Sequence, residues 1–251
     1  MILVTGSTDG LGRLVAERLA ERGDAVLIHG RDERKLERAA REVGAAGAYL
    51  ADFASLDEVR RMAGEVEREH ERLDGLVNNA GLVSRERRES EDGYELGFAV
   101  NYLAHFLLTM RLLPRLGRIV NVSSAGQQAI DFDDVMLERG YEPMRSYTQS
   151  KLAQVMFTFE LAGRAPDGVA VNALHPATFM DTKMVREGFG TPISSVEEGV
   201  DAVIHLLDLE GVSGRYFNGT REARADPQAY DEGARERLWE LSERLTGLVA
   251  R

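Results

Sequence analysis

The sequence contains no cysteine, and this absence excludes disulfide bonds, thiolate metal sites and cysteine nucleophiles. Its five histidines are scattered along the chain, and none of them has the spacing of a metal-binding pair. We therefore expect no metal site and no chemistry that depends on a thiol.

The sequence also lacks an excess of positive charge, a long apolar run and room for a leader. The formal net charge is -11, and an acidic surface repels nucleic-acid phosphates, so we expect no nucleic-acid partner. No run of about 18 apolar residues is present, which predicts no membrane insertion. The short stretch before Thr5 and Gly6 leaves no space for a signal peptide, so we expect a cytoplasmic protein.

Short apolar runs alternate with segments of helical periodicity along the whole chain. Most of the runs are continuously apolar, as in strands that helices cover on both faces. This alternation predicts right-handed βαβ units and a parallel sheet. No repeat or linker divides the chain, which predicts a single domain over residues 1–251. The predicted strands are residues 2–5, 25–29, 49–52, 75–78, 118–123, 169–174 and 214–217.

Two segments, 126–145 and 183–195, lack clean periodicity and are candidate loops or lids over a site. The second contains several apolar residues and is the predicted substrate lid. The tail, 234–249, has leucines at helical spacing with Trp239 beside the stripe, which predicts an amphipathic helix packed on the core. The apolar lid residues are Met184, Val185, Phe189 and Ile193.

Residues 5–12 lie between the first predicted strand and the first helical pattern. Gly6, Gly10 and Gly12 permit a tight turn with positive φ and let the backbone approach a pyrophosphate. The free amides and positive dipole end of the following helix suit the same anion. This strand–turn–helix context predicts dinucleotide binding, and a glycine-rich turn without a ligand is the alternative.

Arg31 follows the second predicted strand, where the cofactor's adenosine ribose would lie. An acidic residue there would accept hydrogen bonds from a ribose 2′-hydroxyl, whereas an arginine suits a 2′-phosphate. Arg31 thus predicts that NADP(H) is preferred and NAD(H) is the second choice; the alternative is a surface arginine at a strand end. Arg13 could add to the same field, but a solvated arginine is the simpler interpretation.

Tyr147 and Lys151 are four residues apart and would share one face of a helix. A free tyrosine has a pKa of about 10, too high for a base at neutral pH. A neighbouring ammonium and the positive nicotinamide ring favour the phenolate and lower that pKa. Tyr147 could then exchange a proton with a substrate oxygen while hydride moves to or from the nicotinamide. The alternative is two unrelated side chains on a helix.

Polar residues end the fourth and fifth predicted strands, at the sheet edge where ligands bind in this architecture. A serine in the run 121–124 can hydrogen-bond the substrate oxygen. The run 78–81 either lines the site or forms a turn with self-bonding asparagines. Asn101 lies in an apolar helical stretch, where its amide is either structural or holds a water beside the lysine as a proton relay.

Together these motifs resemble the short-chain dehydrogenase/reductase family. The resemblance extends from Thr5 through Pro176 and more loosely to the end of the chain. Within the family, the chain is most similar to the retinol-dehydrogenase-like branch. The segments that carry this likeness are residues 100–109, 130–134, 147–153 and 238–242.

The resemblance implies a doubly wound α/β Rossmann fold, with a central parallel sheet of about seven strands flanked by helices. It implies an oxidoreductase that transfers a hydride between NADP(H) and a small-molecule alcohol or carbonyl substrate. The implied catalytic residues are Asn101, Ser124, Tyr147 and Lys151. The implied cofactor-binding residues are Gly6, Thr8, Gly10, Leu11, Gly12, Arg31, Asp52 (at the adenine), Asn79, Ala80, Gly81, Tyr147, Lys151 (at the nicotinamide ribose) and Pro176.

The chain departs from the family pattern in two places. Ser124 precedes Tyr147 by 23 positions, against a common spacing of about a dozen in the family, and we expect the insertion to form part of the substrate pocket wall. Ser124 is preferred over Ser123 because the second serine of the pair holds that place in relatives. Ala177 stands where most members carry glycine, and Thr182 lies one position later than the usual threonine.

Two other functions compete with the dehydrogenase. One is a catalytically silent NADP-binding sensor or scaffold, although such relatives usually lose the tyrosine or lysine. The other is a sugar-nucleotide epimerase or dehydratase, which usually has a longer C-terminal region than the segment that follows Pro176. Relatives often pair through helices that correspond to residues 95–113 and 147–163, so the resemblance allows a homodimer or homotetramer, although members of the branch vary.

Overall fold

The computed structural model describes residues 1–178, 180–181, 191 and 193–248. Most of the predicted substrate lid, including Met184, Val185 and Phe189, lies outside these residues, as does Thr182. Of the apolar lid residues, Ile193 is described, and its side chain is exposed.

The strands form one sheet in the order β3-β2-β1-β4-β5-β6-β7-β8. The first seven are parallel, which confirms the predicted fold class, and a short eighth strand pairs antiparallel with β7. Strand order reverses between β1 and β4, and a crevice opens at such a reversal in doubly wound sheets. The strands are β1 (Ile2–Val4), β2 (Val26–Gly30), β3 (Gly47–Leu50), β4 (Gly75–Asn78), β5 (Arg118–Val122), β6 (Ala170–His175), β7 (Arg215–Asn218) and β8 (Arg221–Glu222).

The predicted strand positions agree with the structure to within two residues. The largest difference is at β3, which ends at Leu50 rather than at the predicted residue 52. There the Asp52 carboxylate accepts a hydrogen bond from the Ala54 amide at 3.0 Å, and this local turn ends the strand.

Helices cover both faces of the sheet, and each face has its own apolar cluster. The predicted helical faces of α1, α3 and α7 are buried, as their 3.6-residue periodicity requires. The helices are α1 (Gly10–Glu21), α2 (Glu33–Val43), α3 (Leu56–Glu69), α4 (Leu96–Phe98), α5 (Ala104–Leu112), α6 (Pro143–Arg164), α7 (Val196–Asp208) and α8 (Glu232–Thr246).

A π-helical turn, Ala99–Leu103, joins α4 to α5, so that Leu96–Arg115 runs as one helical segment of 20 residues. By length and composition this segment could cross a membrane. In the structure, however, it is mostly buried against the rest of the chain, as the core helix of a soluble protein would be. The segment is therefore weak evidence for membrane insertion.

The C-terminal helix α8 packs on the core, as predicted. Its buried residues are Leu238, Trp239, Ser242 and Thr246, while the other three leucines of the predicted stripe, Leu241, Leu245 and Leu248, are half-buried. Trp239 lies at the centre of the contact, 5.3 Å from the Phe106 ring. The large indole sets the orientation of the helix because it buries more apolar area than a leucine.

Candidate active site

The glycine loop between β1 and α1, residues 5–12 (the glycine cradle), leaves no room for side chains at Gly6 and Gly12. A Cβ at Gly6 would lie 2.7 Å from the Ala80 backbone, and one at Gly12 would lie 2.3 Å from the Asn79 amide nitrogen. Gly6 and Gly10 have φ values of 63° and 55°, which favour glycine. The loop therefore packs against the end of β4 and leaves the N-terminus of α1 facing the crevice.

The first turn of α1 has backbone amides that are free to bind an anion. Asp9 caps the helix by accepting from the Gly10 amide at 2.8 Å. The amides of Leu11 and Gly12 have no acceptor in the part of the chain that the structure describes. Together with the cradle, these donors fit the pyrophosphate of a dinucleotide.

Other predicted cofactor residues surround this loop. The Asn79 side chain braces it, donating to the carbonyl oxygens of Thr5 and Gly6 at 2.8 and 3.1 Å. Thr8 lies over the end of β2, where a Cβ at Gly30 would come within 2.4 Å of its methyl group. Leu11 and Pro176 meet at the start of α7, each within 3.3 Å of a Cβ built at Gly199.

Arg31 lies exposed after β2 and has no ion-pair partner among the described residues. The neighbouring Asp32 caps α2 by accepting from the Lys35 amide at 2.9 Å, so its carboxylate is already used. Arg13 is not solvated as expected, since it pairs with Glu17 and Glu42 at 2.7 and 3.1 Å. Arg31 therefore remains available for a phosphate.

His29 is a buried residue that the sequence motifs did not indicate. Its Nδ1 accepts a hydrogen bond from the Gly6 amide at 3.0 Å, and its Nε2 lies 3.0 Å from the Ala51 carbonyl oxygen. The Nε2–H tautomer satisfies both contacts. Burial lowers the pKa of His29 to about 4, so the imidazole is neutral and accepts at neutral pH. His29 therefore fixes the first glycine of the cradle.

We expect His29→Leu to weaken NADPH binding about tenfold, because the Gly6 amide loses its acceptor at a cost of about 1–2 kcal/mol. His29→Asn should retain most of the affinity, since its amide oxygen can replace Nδ1. Fluorescence titration with NADPH measures both. Equal affinity in the two variants would show that the contact with Gly6 does not shape the loop.

Tyr147, Lys151 and Ser124 come together at the carboxyl ends of β5 and β6. Lys151 Nζ lies 5.8 Å from the centre of the Tyr147 ring, as the shared helical face predicted. The Ser124 hydroxyl hydrogen-bonds the Tyr147 phenol. The Ser123 hydroxyl instead donates to the Lys151 carbonyl oxygen at 2.7 Å. Ser124 therefore lies in the site, and Ser123 has a structural role.

The protein's own groups raise the pKa of the Tyr147 phenol rather than lower it. Burial is the main cause, and the hydrogen bond with Ser124 opposes it. Lys151 does not lower the pKa of this phenol: burial lowers the pKa of Lys151 itself to about 7, and its Nζ donates to the Val122 carbonyl oxygen and to Gln154 Oε1, each at 2.9 Å. Tyr147 is therefore protonated at neutral pH and can donate to an oxygen beside Ser124.

Asn101 lies in the π-helical turn, and its side chain is fully engaged by protein groups. Its amide oxygen accepts from the Leu82 amide at 2.8 Å, and its nitrogen donates to the Leu82 carbonyl and the Ser150 hydroxyl. The backbone carbonyl oxygen of Asn101 lies 3.1 Å from His105 Nδ1. Asn101 thus holds the strand-end segment of Gly81, where a Cβ would lie 3.7 Å from Lys151 Nζ.

Asp52, the predicted adenine contact, lies half-buried at the turn after β3. Besides its turn-forming carboxylate, its amide donates to Glu58 at 2.8 Å. The structure places it on the same edge of the sheet as the glycine loop, beyond the end of β2.

The insertion between Ser124 and Tyr147 is an irregular wall that contacts several elements. The Gln228 side chain bonds both the amide and the carbonyl of Ile130, at 2.7 and 3.2 Å. Asp131 pairs with Arg145 at 3.0 Å, and the Ala129 carbonyl accepts from Gln149 at 3.0 Å. These bonds hold the segment before α6 as a fixed side of the site rather than a free lid.

A buried carboxylate that sequence analysis missed joins the two helices of the site. Glu95 caps the segment that carries Asn101, accepting from the amides of Gly97 and Phe98 at 2.9 and 2.7 Å. It also accepts from the hydroxyl of Ser146, the neighbour of Tyr147, at 3.0 Å. An acidic residue before an apolar helical run was the available sequence signal.

Comparison with known proteins agrees with this geometry. The model of the short chain dehydrogenase family matches residues 1–191. Retinol dehydrogenase 13 of Mus musculus is 39% identical over 99% of this chain and 84% of its own length. An uncharacterised protein from Mycobacterium paratuberculosis superposes with a TM-score of 0.84 at 32% identity, covering 98% and 92% of the two chains.

A short-chain dehydrogenase from Escherichia coli CFT073, solved in complex with NADPH, has a TM-score of 0.72 at 25% identity, over 87% of this chain and 95% of that one. The family match spans the cradle, both strand-end segments and the Tyr147–Lys151 helix. The chain therefore belongs to the short-chain dehydrogenase/reductase family, in its retinol-dehydrogenase-like branch, and is a dehydrogenase or reductase that uses a nicotinamide cofactor.

Proposed function

We propose that the chain is an NADP(H)-dependent oxidoreductase that interconverts an alcohol with an aldehyde or ketone. The observation that carries this proposal is the Tyr147 phenol beside the buried Lys151, whose Nζ lies 5.8 Å from the centre of the ring, with the Ser124 hydroxyl close enough to lower the pKa of the phenol. Two hydroxyl groups that meet beside a cofactor cradle suit a single substrate oxygen.

The chain's own residues supply binding and proton transfer. The glycine cradle and the first turn of α1 would hold the pyrophosphate, and Lys151 would contact the nicotinamide ribose. When bound, the cofactor supplies or accepts the hydride. Ser124 would hold the substrate oxygen, and the protonated Tyr147 would donate to that oxygen during carbonyl reduction and recover the proton during alcohol oxidation.

Protonation of Tyr147 favours the reductive direction at neutral pH. A phenol with a raised pKa is a ready donor to a carbonyl oxygen, whereas alcohol oxidation first requires the phenolate. We therefore propose that carbonyl reduction predominates near pH 7 and that alcohol oxidation needs a more alkaline pH.

Four observations support NADP(H) over NAD(H). Arg31 stands exposed at the end of β2, its neighbour Asp32 is used as a helix cap, and Arg13 is paired with carboxylates. The structural relative from Escherichia coli was solved with NADPH. We propose that the Arg31 guanidinium binds the 2′-phosphate.

A panel of carbonyl compounds tests the function directly. NADPH oxidation is followed at neutral pH with short and long aldehydes and ketones, including retinal because a relative is named for retinol. The reverse assay uses the matching alcohols and NADP. The proposal expects turnover on at least one pair. Tight NADPH binding with no turnover on any pair would favour the silent sensor or scaffold.

We also propose that the chain is a monomer rather than the dimer or tetramer that the resemblance allows. Residues 97–109 and 151–158, which would form the pairing helices, are all buried within the single chain. Helix α8 covers them, with Trp239 against Phe106 and the Tyr102 hydroxyl 2.7 Å from Ser242. Light scattering should give a mass near 27.8 kDa. Twice that mass at micromolar concentration would contradict this proposal.

A further inference from the structure

Lys151 is a buried amine without a carboxylate partner. Lys151 is 4% exposed, and no ion pair of the described residues involves it. Nζ donates to two neutral oxygens, the Val122 carbonyl and Gln154 Oε1, each at 2.9 Å. Burial alone lowers the pKa of the ammonium to about 7. One backbone atom and one side chain therefore hold this group.

Gln154 is itself held in the core. It is 1% exposed, and its Nε2 lies 3.3 Å from His105 Nδ1. An ammonium has only donors, so the amide oxygen faces Lys151 and the amide nitrogen faces the imidazole. The same imidazole lies 3.1 Å from the Asn101 carbonyl and 3.3 Å from the Thr5 hydroxyl. In the Nε2–H tautomer, Nδ1 accepts from the Gln154 amide nitrogen and Nε2 donates to the Thr5 hydroxyl, so the imidazole links Gln154 to the end of β1.

We propose that Gln154 is a positioning residue for Lys151: its amide oxygen holds the ammonium in the site as a neutral acceptor, and the His105 imidazole holds the amide. The assignment of Lys151 to the active site rests on the proposed function. The contacts of Gln154 with Lys151 and His105 do not.

The groups that face Lys151 make Gln154 the place where a charge would act most strongly. Tyr147, on the same helix, is protonated in the cofactor-free protein. His105, from α5, is neutral because burial, followed by the charge of Lys151, lowers its pKa to about 3. From β7, the Tyr216 hydroxyl donates to the Ser124 carbonyl at 2.9 Å and carries no charge at neutral pH. A neutral amide completes this uncharged setting.

The sequence allows Lys151 to be observed directly, because Lys35, Lys151 and Lys183 are its lysines. The cofactor-free protein is labelled with ¹³C at the lysine ε-carbon and titrated by NMR. The Lys151 signal is the one that disappears in Lys151→Met. The variants are Gln154→Glu and the near-isosteric Gln154→Met. The matched control is Gln149→Glu, since Gln149 is also buried on α6 but donates to the Ala129 carbonyl.

We expect Gln154→Glu to raise the midpoint of the Lys151 titration by about 1 to 3 pH units, because an opposite charge within hydrogen-bond distance favours the ammonium. Gln154→Met should lower the midpoint, since the charged form loses an acceptor. Gln149→Glu should shift it by much less than Gln154→Glu. Circular dichroism checks that each variant is folded, and if the glutamate variant does not fold, the methionine variant decides alone.

The proposal is overturned if Gln154→Glu moves the midpoint no more than Gln149→Glu does, or if Gln154→Met leaves it unchanged. The NMR titration needs no substrate. A chain that shows the NMR shifts but no turnover would therefore contradict the proposed function and leave the role of Gln154 intact.

Discussion

Tyr147→Phe should reduce kcat by about 10²- to 10⁴-fold, the usual contribution of a general acid or base. The phenol is the proton donor that contacts Ser124, and phenylalanine keeps the ring while removing that proton. NADPH affinity should change little, because the cradle and the first turn of α1 hold the pyrophosphate. Steady-state kinetics with the best substrate of the panel measures the first effect, and fluorescence titration measures the second.

Tyr94→Phe is the matched control for this substitution. Its hydroxyl donates to the Leu245 carbonyl at 2.9 Å, a contact between a loop and α8 far from the cradle. The control should keep its kcat. If Tyr147→Phe retained the activity of Tyr94→Phe, Tyr147 would not be the proton donor, and the assignment of the chemical step would be wrong.

Arg31→Asp should lower the preference for NADP over NAD by about 100-fold or more. A charge-assisted hydrogen bond contributes about 1.5–3 kcal/mol, each 1.4 kcal/mol is a factor of ten, and aspartate also repels the 2′-phosphate. The aspartate can instead accept from a ribose 2′-hydroxyl, so activity with NAD should rise or persist. The ratio of kcat/KM for the two cofactors is the measurement.

Arg38→Asp controls for the change in net charge. Arg38 is exposed on α2, about two helical turns beyond Arg31. Its charge should be largely screened from the end of β2 in 0.15 M salt. An unchanged cofactor ratio in Arg31→Asp, or an equal change in both variants, would remove Arg31 as the specificity residue.

The periodic and local features of the sequence predicted most of the fold. Strand positions agreed to within two residues because fully apolar runs and glycine turns are read over a few adjacent positions. The eighth strand, Arg221–Glu222, was missed because a two-residue polar edge strand has no periodicity. In α8, Leu238 and Trp239 are buried while the other stripe leucines are only half-buried, because the larger indole dominates the contact.

The site was predictable where its residues are close in sequence, as in the glycine loop and the Tyr147–Lys151 pair. The residues around them were not predictable, because their partners are distant along the chain. His29 contacts Gly6, Glu95 contacts Ser146, and the Lys151–Gln154 contact depends on His105. A buried histidine or glutamine is usually a satisfied core residue, so its type alone does not reveal what it holds.

The raised pKa of Tyr147 is the clearest chemical departure from the sequence-based prediction. The spacing of Tyr147 and Lys151 predicted a phenol activated by an ammonium one turn away. The spacing could not show that Nζ turns to Val122 and Gln154. In the cofactor-free protein burial therefore dominates, and the phenol remains protonated.

A crystal structure with NADPH tests the central claim most directly. We expect the pyrophosphate on the Gly6–Gly12 loop, the 2′-phosphate at Arg31, and the nicotinamide facing the hydroxyl groups of Tyr147 and Ser124. A nicotinamide bound away from Tyr147 and Lys151 would contradict the enzyme and leave a protein that only holds a nucleotide.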